Sequence, residues 1–249
     1  PRGMDVVDAT QQTLPLADLA PSPDGQPPRA RRIWCNRNLR LDHIEVVGFD
    51  MDYTLAVYEQ EAIDRLSVRE TAKKLVAMGY PSELLEMPYP TQFPIRGLLV
   101  DKKLGNVLKP DRYRYVKRAY HGTREVPSEE RRRQYQARRV RPGTQRYHSI
   151  DTMYELSEIA VFVAAIDALE RSGAKLDHGR LYDDIRRCID EAHRDGSIKN
   201  VIVREPERFL ARDPDLTVML HKLRSAGKKL FLLTNSEPSY TESVMRHLL

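Results

Sequence analysis

Two aspartates, Asp50 and Asp52, stand two positions apart directly after the apolar run IEVVGF (44–49). In an extended segment, residues i and i+2 point to the same side, so both carboxylates would face one crevice at the strand's end. Carboxylates this close raise each other's pKa unless a cation lies between them. Magnesium suits such a pair, because it prefers hard oxygen ligands and keeps waters that a substrate phosphate can replace. Beside it, one carboxylate can attack phosphorus while the other protonates the leaving oxygen. A polar turn would carry the same spacing with no such duty, and spacing alone divides the two readings evenly.

A second strand end shifts that balance. KKLFLLTNS (228–236) runs an apolar strand into Thr234, Asn235 and Ser236. A hydroxyl with turn amides near a helix start can cradle phosphate oxygens, although alone the same residues read as a helix cap.

The elements that must position these ends follow from periodicity. IEVVGF reads as a buried strand, and 62–79 and 179–196 read as helices, each ending in glycine. A further helix is expected from about Ser149 to Ser172, and an amphipathic one over 214–227. Residues 96–111 read as a hairpin turning near Gly105-Asn106. Residues 1–30, rich in Pro, Ala, Gln and Asp, read as disordered. Helix followed by a parallel-type strand, with chemistry at the strand's carboxyl end, predicts an open α/β sheet.

Composition narrows the function class. The 249 residues are 41% hydrophobic, enough for a real core. Cys35 and Cys188 stand far apart in no C-x-x-C pairing, so a reducing, cytoplasmic setting is expected rather than a disulfide framework or a zinc site. The longest apolar run, IAVFVAAI (159–166), is too short to span a bilayer, nothing resembles a signal peptide, and no membrane partner is expected. The net charge is +5, and 124–146 carries eight arginines against three glutamates. One segment therefore holds the whole excess, which fits a solvated loop or a local anion site better than a nucleic-acid face.

GFDMDYTLAVY followed by LFLLTNS resembles motifs I and II of the haloacid dehalogenase superfamily, and more narrowly its cytosolic purine 5′-nucleotidase II group. The segments RIWCNRNLRLDHIEVVGFDMDYTLAVYE, LVAMGYPSELLEMPYPTQFPIRGLLVDKKLGNVLK and AHRDGSIK extend that resemblance from Arg32 to the end. It implies an α/β fold of the haloacid-dehalogenase type: a Rossmann-like parallel sheet with a cap inserted between motifs I and II. The core would comprise 31–60 and 200–249, and the cap 61–199. Asp50 would be the nucleophile and a Mg²⁺ ligand. Asp52 would be the general acid/base, its carbonyl also ligating the metal. Thr234 would hold the transferring phosphoryl group and Asn235 would shape the turn. The superfamily's third-motif lysine and fourth-motif acidic pair have no match here. With Pro1 at one end and an uncapped helix at the other, the chain is expected to be a fragment, the parent being the active enzyme and this piece weakly active or inactive.

Cap side chains would select the leaving group. Arg186, Asp190 and His193 fall on one helix face, at i, i+4 and i+7. With Lys199, they match positions where the purine nucleotidases bind nucleotide. Asp151 and Tyr154 match a helix start whose aromatic residue stacks on the purine. Tyr154 stands in place of phenylalanine, Asp151 and Glu155 in place of asparagines, Arg194 in place of tyrosine, and Glu237 in place of aspartate. The resemblance thus implies a Mg²⁺-dependent 5′-nucleotidase for purine nucleoside 5′-monophosphates, with nucleoside phosphotransfer as a side activity and a nucleotide effector at the arginine-rich loop. A catalytically incomplete nucleotide-binding or regulatory protein is the alternative. Homo-oligomerisation stays open, and nucleic acid is the weakest partner.

Overall fold

The computed structural model describes residues 39–90, 93, 95–135, 139–173 and 176–249, so the segment expected to be disordered, 1–30, lies outside the described residues. The chain divides into two compact units, Pro1–Glu45 and Val46–Leu249. The described end of the first is a turn, with the Ile44 amide donating to the Leu41 carbonyl at 3.1 Å. The strands and α-helices among the described residues belong to the second. In chain order they are β1 (Val46–Phe49), β2 (Val57–Tyr58), α1 (Gln60–Ala77), β3 (Leu98–Asp101), β4 (Asn106–Pro110), β5 (Val116–His121), β6 (Arg124–Glu125), α2 (Ser128–Tyr135), β7 (Tyr147–Ile150), α3 (Glu155–Arg171), α4 (His178–Arg194), α5 (Lys199–Arg204), α6 (Pro206–Phe209), β8 (Leu210–Ala211), α7 (Pro214–Ser225), β9 (Lys229–Leu232) and α8 (Pro238–Leu248).

This is a mixed α/β architecture with small sheets. β1 pairs in parallel with β9, β2 antiparallel with β8, and five antiparallel strands run in the order β6-β5-β4-β3-β7. The hairpin expected over 96–111 is β3–β4, whose turn places Gly105 at φ +68, a left-handed value that costs glycine little. Alternation along β3 and β4 serves two cores. Leu98, Val100 and Val107 pack with α3, whereas Leu99 and Leu108 meet Ala119, Val126 and Tyr135. α3 is apolar nearly all round, as a helix enclosed by neighbours must be, and touches α1, α4 and β7.

Two expectations need correction. Residues 147–150 form a strand, not the start of a helix. Tyr147-His148-Ser149-Ile150 ladders onto β3, from Leu98 opposite Ile150 to Asp101 opposite Tyr147. The helix begins only at Glu155. Its carboxylate accepts from the Thr152 amide at 2.9 Å, while the Glu155 amide donates back to Thr152 Oγ1 at 3.3 Å, a reciprocal pairing that sets the start. The strand at 44–49 does form, as β1, but it is not buried. β1 and β9 both alternate exposed and half-buried positions, and Val46 is 50% exposed. Each has one hydrogen-bonded neighbour among the described residues, and Phe49 and Leu232 turn toward a core on one face.

Candidate functional site

The parallel register pairs Phe49 with Leu232, and the Leu233 amide donates to the Phe49 carbonyl at 2.7 Å. The aspartate loop and the Thr234-Asn235-Ser236 turn therefore leave the sheet side by side, at its carboxyl end. Met51, fully buried, anchors the first loop: its carbonyl accepts from the amides of Thr54, Leu55 and Ala56. Tyr53 completes this tight loop at φ 57, an unusual value for a tyrosine. Between them Met51 is turned inward, while Asp50 is exposed and Asp52 half-buried.

The two carboxylates are held differently. Asp50 Oδ1 accepts from the Met51 amide at 2.8 Å, and its other oxygen has no hydrogen-bond donor among the described residues. Both oxygens of Asp52 accept from hydroxyls: Tyr58 to Oδ1 at 2.6 Å and Ser236 to Oδ2 at 2.8 Å. The Tyr58 hydroxyl also lies 2.9 Å from that of Tyr240, and burial, with the neighbouring Tyr240 and Asp52, pushes it far above its usual pKa. Tyr58 thus stays a neutral donor. Thr234 Oγ1 accepts from the Ser236 amide at 3.1 Å, so the threonine itself closes the turn. An exposed carboxylate with an unclaimed oxygen, beside a second oxygen-rich turn, fits the hard-donor preference of Mg²⁺.

A cavity of about 590 Å³ opens beside this pair. Asp52, Tyr154, Asp190, His193, Lys199 and Asn235, six of the residues singled out from sequence, line it. Tyr154 is 51% exposed, edge-on to Tyr53 at 5.6 Å and to His193 at 6.3 Å. Burial and then the charge of Asp52 raise the Tyr154 hydroxyl, with Asp50 adding less. Burial and then Lys199 lower His193, so its imidazole is neutral near pH 7. Lys199 pairs with Glu237 and lies over the Tyr240 ring.

Arg186 and Asp151 do not line this cavity. Arg186 is engaged by Glu158 at 3.4 Å and by His148 at 3.3 Å, while Asp151 is exposed at the turn before α3. Thr234 and Asp50 stay at the strand ends rather than in the cavity wall. Sequence reasoning missed Tyr53, Tyr58, Tyr240 and Glu158, which also line it. Tyr53 and Tyr58 share the aspartate loop and could have been suspected. Tyr240 gives no local signal, because 182 residues separate it from Tyr58.

The arginine-rich segment is partly structural. Its 128–135 stretch is α2, and Arg146 clamps the buried Asp101 carboxylate with bonds of 2.8 and 2.7 Å. A second cavity of about 970 Å³ is lined by Arg112, Arg114, Arg139, Arg141 and Arg146, with Tyr113 and Tyr147. No helix among the described residues is long and apolar enough to cross a membrane.

β1 and β9 run in parallel, and each leads at its carboxyl end into a polar turn within a mixed α/β protein. The family follows from the whole sequence: residues 33–249 match the 5′ nucleotidase family, and the chain belongs to it. It is 29% identical over 247 residues to the human 5′-nucleotidase domain-containing protein 2, covering 94% of this chain and 47% of that protein. The rat protein of the same name is 29% identical over 228 residues, covering 87% and 41%. A 5′-nucleotidase domain-containing protein of Dictyostelium discoideum is 29% identical over 238, covering 94% and 40%. The chain thus spans somewhat under half the length of these relatives.

Proposed function

We propose that this chain carries the nucleophile and substrate-selecting portions of a Mg²⁺-dependent 5′-nucleotidase of the haloacid dehalogenase type, acting on nucleoside 5′-monophosphates, purine ones foremost. Residues 61–199 serve as the cap over a core that includes β1 and β9. The observation that carries this reading is the bond between Ser236 and Asp52, which joins the two motif turns into one site. Asp50, with an oxygen that meets no donor among the described residues, attacks phosphorus and becomes an aspartyl-phosphate. Asp52, steered by Tyr58 and Ser236, acts in its protonated form with the Ser236 hydroxyl rotated away from Oδ2: it gives that proton to the nucleoside 5′-oxygen and regains one from the hydrolytic water. Thr234 and its turn amides hold the phosphoryl oxygens. The exposed Tyr154 ring receives the base, and Asp190, His193 and Lys199 orient the nucleoside. Mg²⁺, ligated by Asp50 and the Asp52 carbonyl, would neutralise phosphate charge. A nucleoside acceptor in place of water gives phosphotransfer, and the arginine-lined cavity suits a nucleotide effector.

In the full-length protein, Asp50→Asn is expected to cut Mg²⁺-dependent phosphate release from nucleoside 5′-monophosphates by about 10³-fold or more, with nucleotide binding retained. Release at the wild-type rate would refute the mechanism. One observation favours a second reading, a nucleotide-binding protein without turnover: Lys199 is spent on Glu237 rather than left free. Under it, the wild-type full-length protein binds nucleotide but releases no phosphate.

A further inference from the structure

Away from the motif turns, three elements bring together a different set of ligands. His121 ends β5, Glu170 is next to last in α3, and His178 begins α4. Their ligand atoms all lie within 4.8 Å of one another. Glu170 and His178 sit at the ends of α3 and α4 opposite to those bearing Tyr154 and His193. Along α3 the distance from Glu155 to Glu170 is roughly 22 Å, at about 1.5 Å per residue.

The hydrogen bonds around His121 orient its ring. Asp101, clamped by Arg146, accepts from the Tyr135 hydroxyl at 2.8 Å. That hydroxyl has given away its proton, so it accepts from Asn106 Nδ2 at 2.9 Å. Asn106, only 2% exposed, must then turn Oδ1 toward His121 Nδ1, 2.8 Å away. An amide oxygen only accepts, so His121 Nδ1 carries a hydrogen. Nε2 stands 2.6 Å from Glu170 Oε1, a carboxylate acceptor. That contact is met either by a proton on an imidazolium ring or by a cation that both atoms ligate.

His178 supplies the third ligand. Its Nε2 is buried and has no hydrogen-bond partner among the described residues, although a buried polar atom left unpaired is costly. Its ring lies 5.5 Å from that of His121, nearly perpendicular to it. The β3–β4 turn is pressed against it: a Cβ on Gly105 would come within 2.3 Å of His178 Cδ2. The ring is therefore held in place with an unused donor atom pointing into the protein.

We infer that His121, Glu170 and His178 form a binding site for a zinc-class divalent cation, with Asn106 orienting His121. Two imidazoles and a carboxylate suit Zn²⁺, Co²⁺ or Ni²⁺ far better than Mg²⁺. Metal–ligand bonds of about 2.0–2.2 Å place tetrahedral ligand atoms roughly 3.3 Å apart, so small side-chain rotations close the site. Glu170 is 45% exposed, which leaves a fourth position open to water. The bound cation would tie the α3–α4 connection to the five-stranded sheet, remote from the proposed nucleotide pocket.

The test is titration of the metal-free chain with Co²⁺ and with Zn²⁺. Co²⁺ should give intense visible bands of a four-coordinate centre at one equivalent, and Zn²⁺ should displace it and raise Tm. His178→Gln and Glu170→Gln, which spare the Asn106 network, should weaken Zn²⁺ binding by about 10-fold or more and abolish the Tm rise. Absence of saturable binding by the wild-type chain would overturn the inference. So would variants that keep wild-type circular dichroism and bind Zn²⁺ as tightly as the parent, since the metal would then sit elsewhere.

Discussion

The two largest strand assemblies of this chain stand in contrast. At the centre of the five-stranded antiparallel sheet, all four residues of β3 and the first three of β4 are buried, facing two cores. The parallel pair β1–β9 bears the aspartate and threonine turns, yet Val46, Phe231 and Leu233 are 50%, 48% and 69% exposed. Burial is concentrated in the larger sheet, and the pair that carries the two polar turns has little cover. The lesson is that apolar content and burial part company when a strand has few neighbours. IEVVGF is as apolar as the strands of the larger sheet, but burial depends on what packs against a strand.

The contrast is broken most directly by truncating the well-packed side. Phe162 in α3 is fully buried and meets Tyr182 edge-on at 5.3 Å. Phe162→Ala should cost about 3–5 kcal/mol in denaturant unfolding, as lost transfer energy plus an unfilled cavity. A loss under about 1 kcal/mol would mean that this core is loose, and the contrast would collapse.

Much of this was legible in the sequence where the signal is local. The two polar turns, the β3–β4 hairpin and the helices near 62–79, 179–196 and 214–227 follow from periodicity and glycine stops, and the structure has them within a few residues. The β7 strand was not legible, because its stability comes from pairing with β3 some fifty residues earlier in the chain. At the site, Asp52, Tyr154, Asp190, His193, Lys199 and Asn235 do gather around one cavity. Arg186 shares a helix face with Asp190 and His193, but helical spacing could not reveal that Glu158 and His148 would claim it. The Tyr58–Tyr240 contact is long-range, and no spacing rule reaches it.

Glu158 sharpens the contrast, because it is a carboxyl group buried where the α3 core meets the cavity of about 590 Å³. Burial pushes its pKa up to about 7, against the lowering effects of the Tyr182 hydroxyl and Arg186. The folded state therefore holds this proton up to about pH 7, whereas the unfolded chain releases it near the ordinary value of 4.5. Its contribution is fully present below about pH 4.5 and is lost as pH rises through 7, by up to about 3 kcal/mol. Glu158→Gln should flatten that part of the stability–pH profile, measured by thermal unfolding between pH 5 and 8. An unchanged slope would place the pH dependence on other groups.

The smallest effect is expected on the exposed side, and it tests the contrast from below. Phe231 lies directly across from Gly48, and its ring rests on the glycine so closely that a Cβ there would meet it at 2.4 Å. That cross-strand cover is the main burial the ring has, since about half of it stays in water. Phe231→Ala should therefore cost about 1 kcal/mol, well below the Phe162 value, because half-buried rings lose less on truncation and leave no enclosed cavity. Unfolding in urea measures both variants on one scale. A Phe231 loss equal to that of Phe162 would show that the β1–β9 face is covered in solution, and the motif-bearing strands would then be anchored as firmly as the larger sheet.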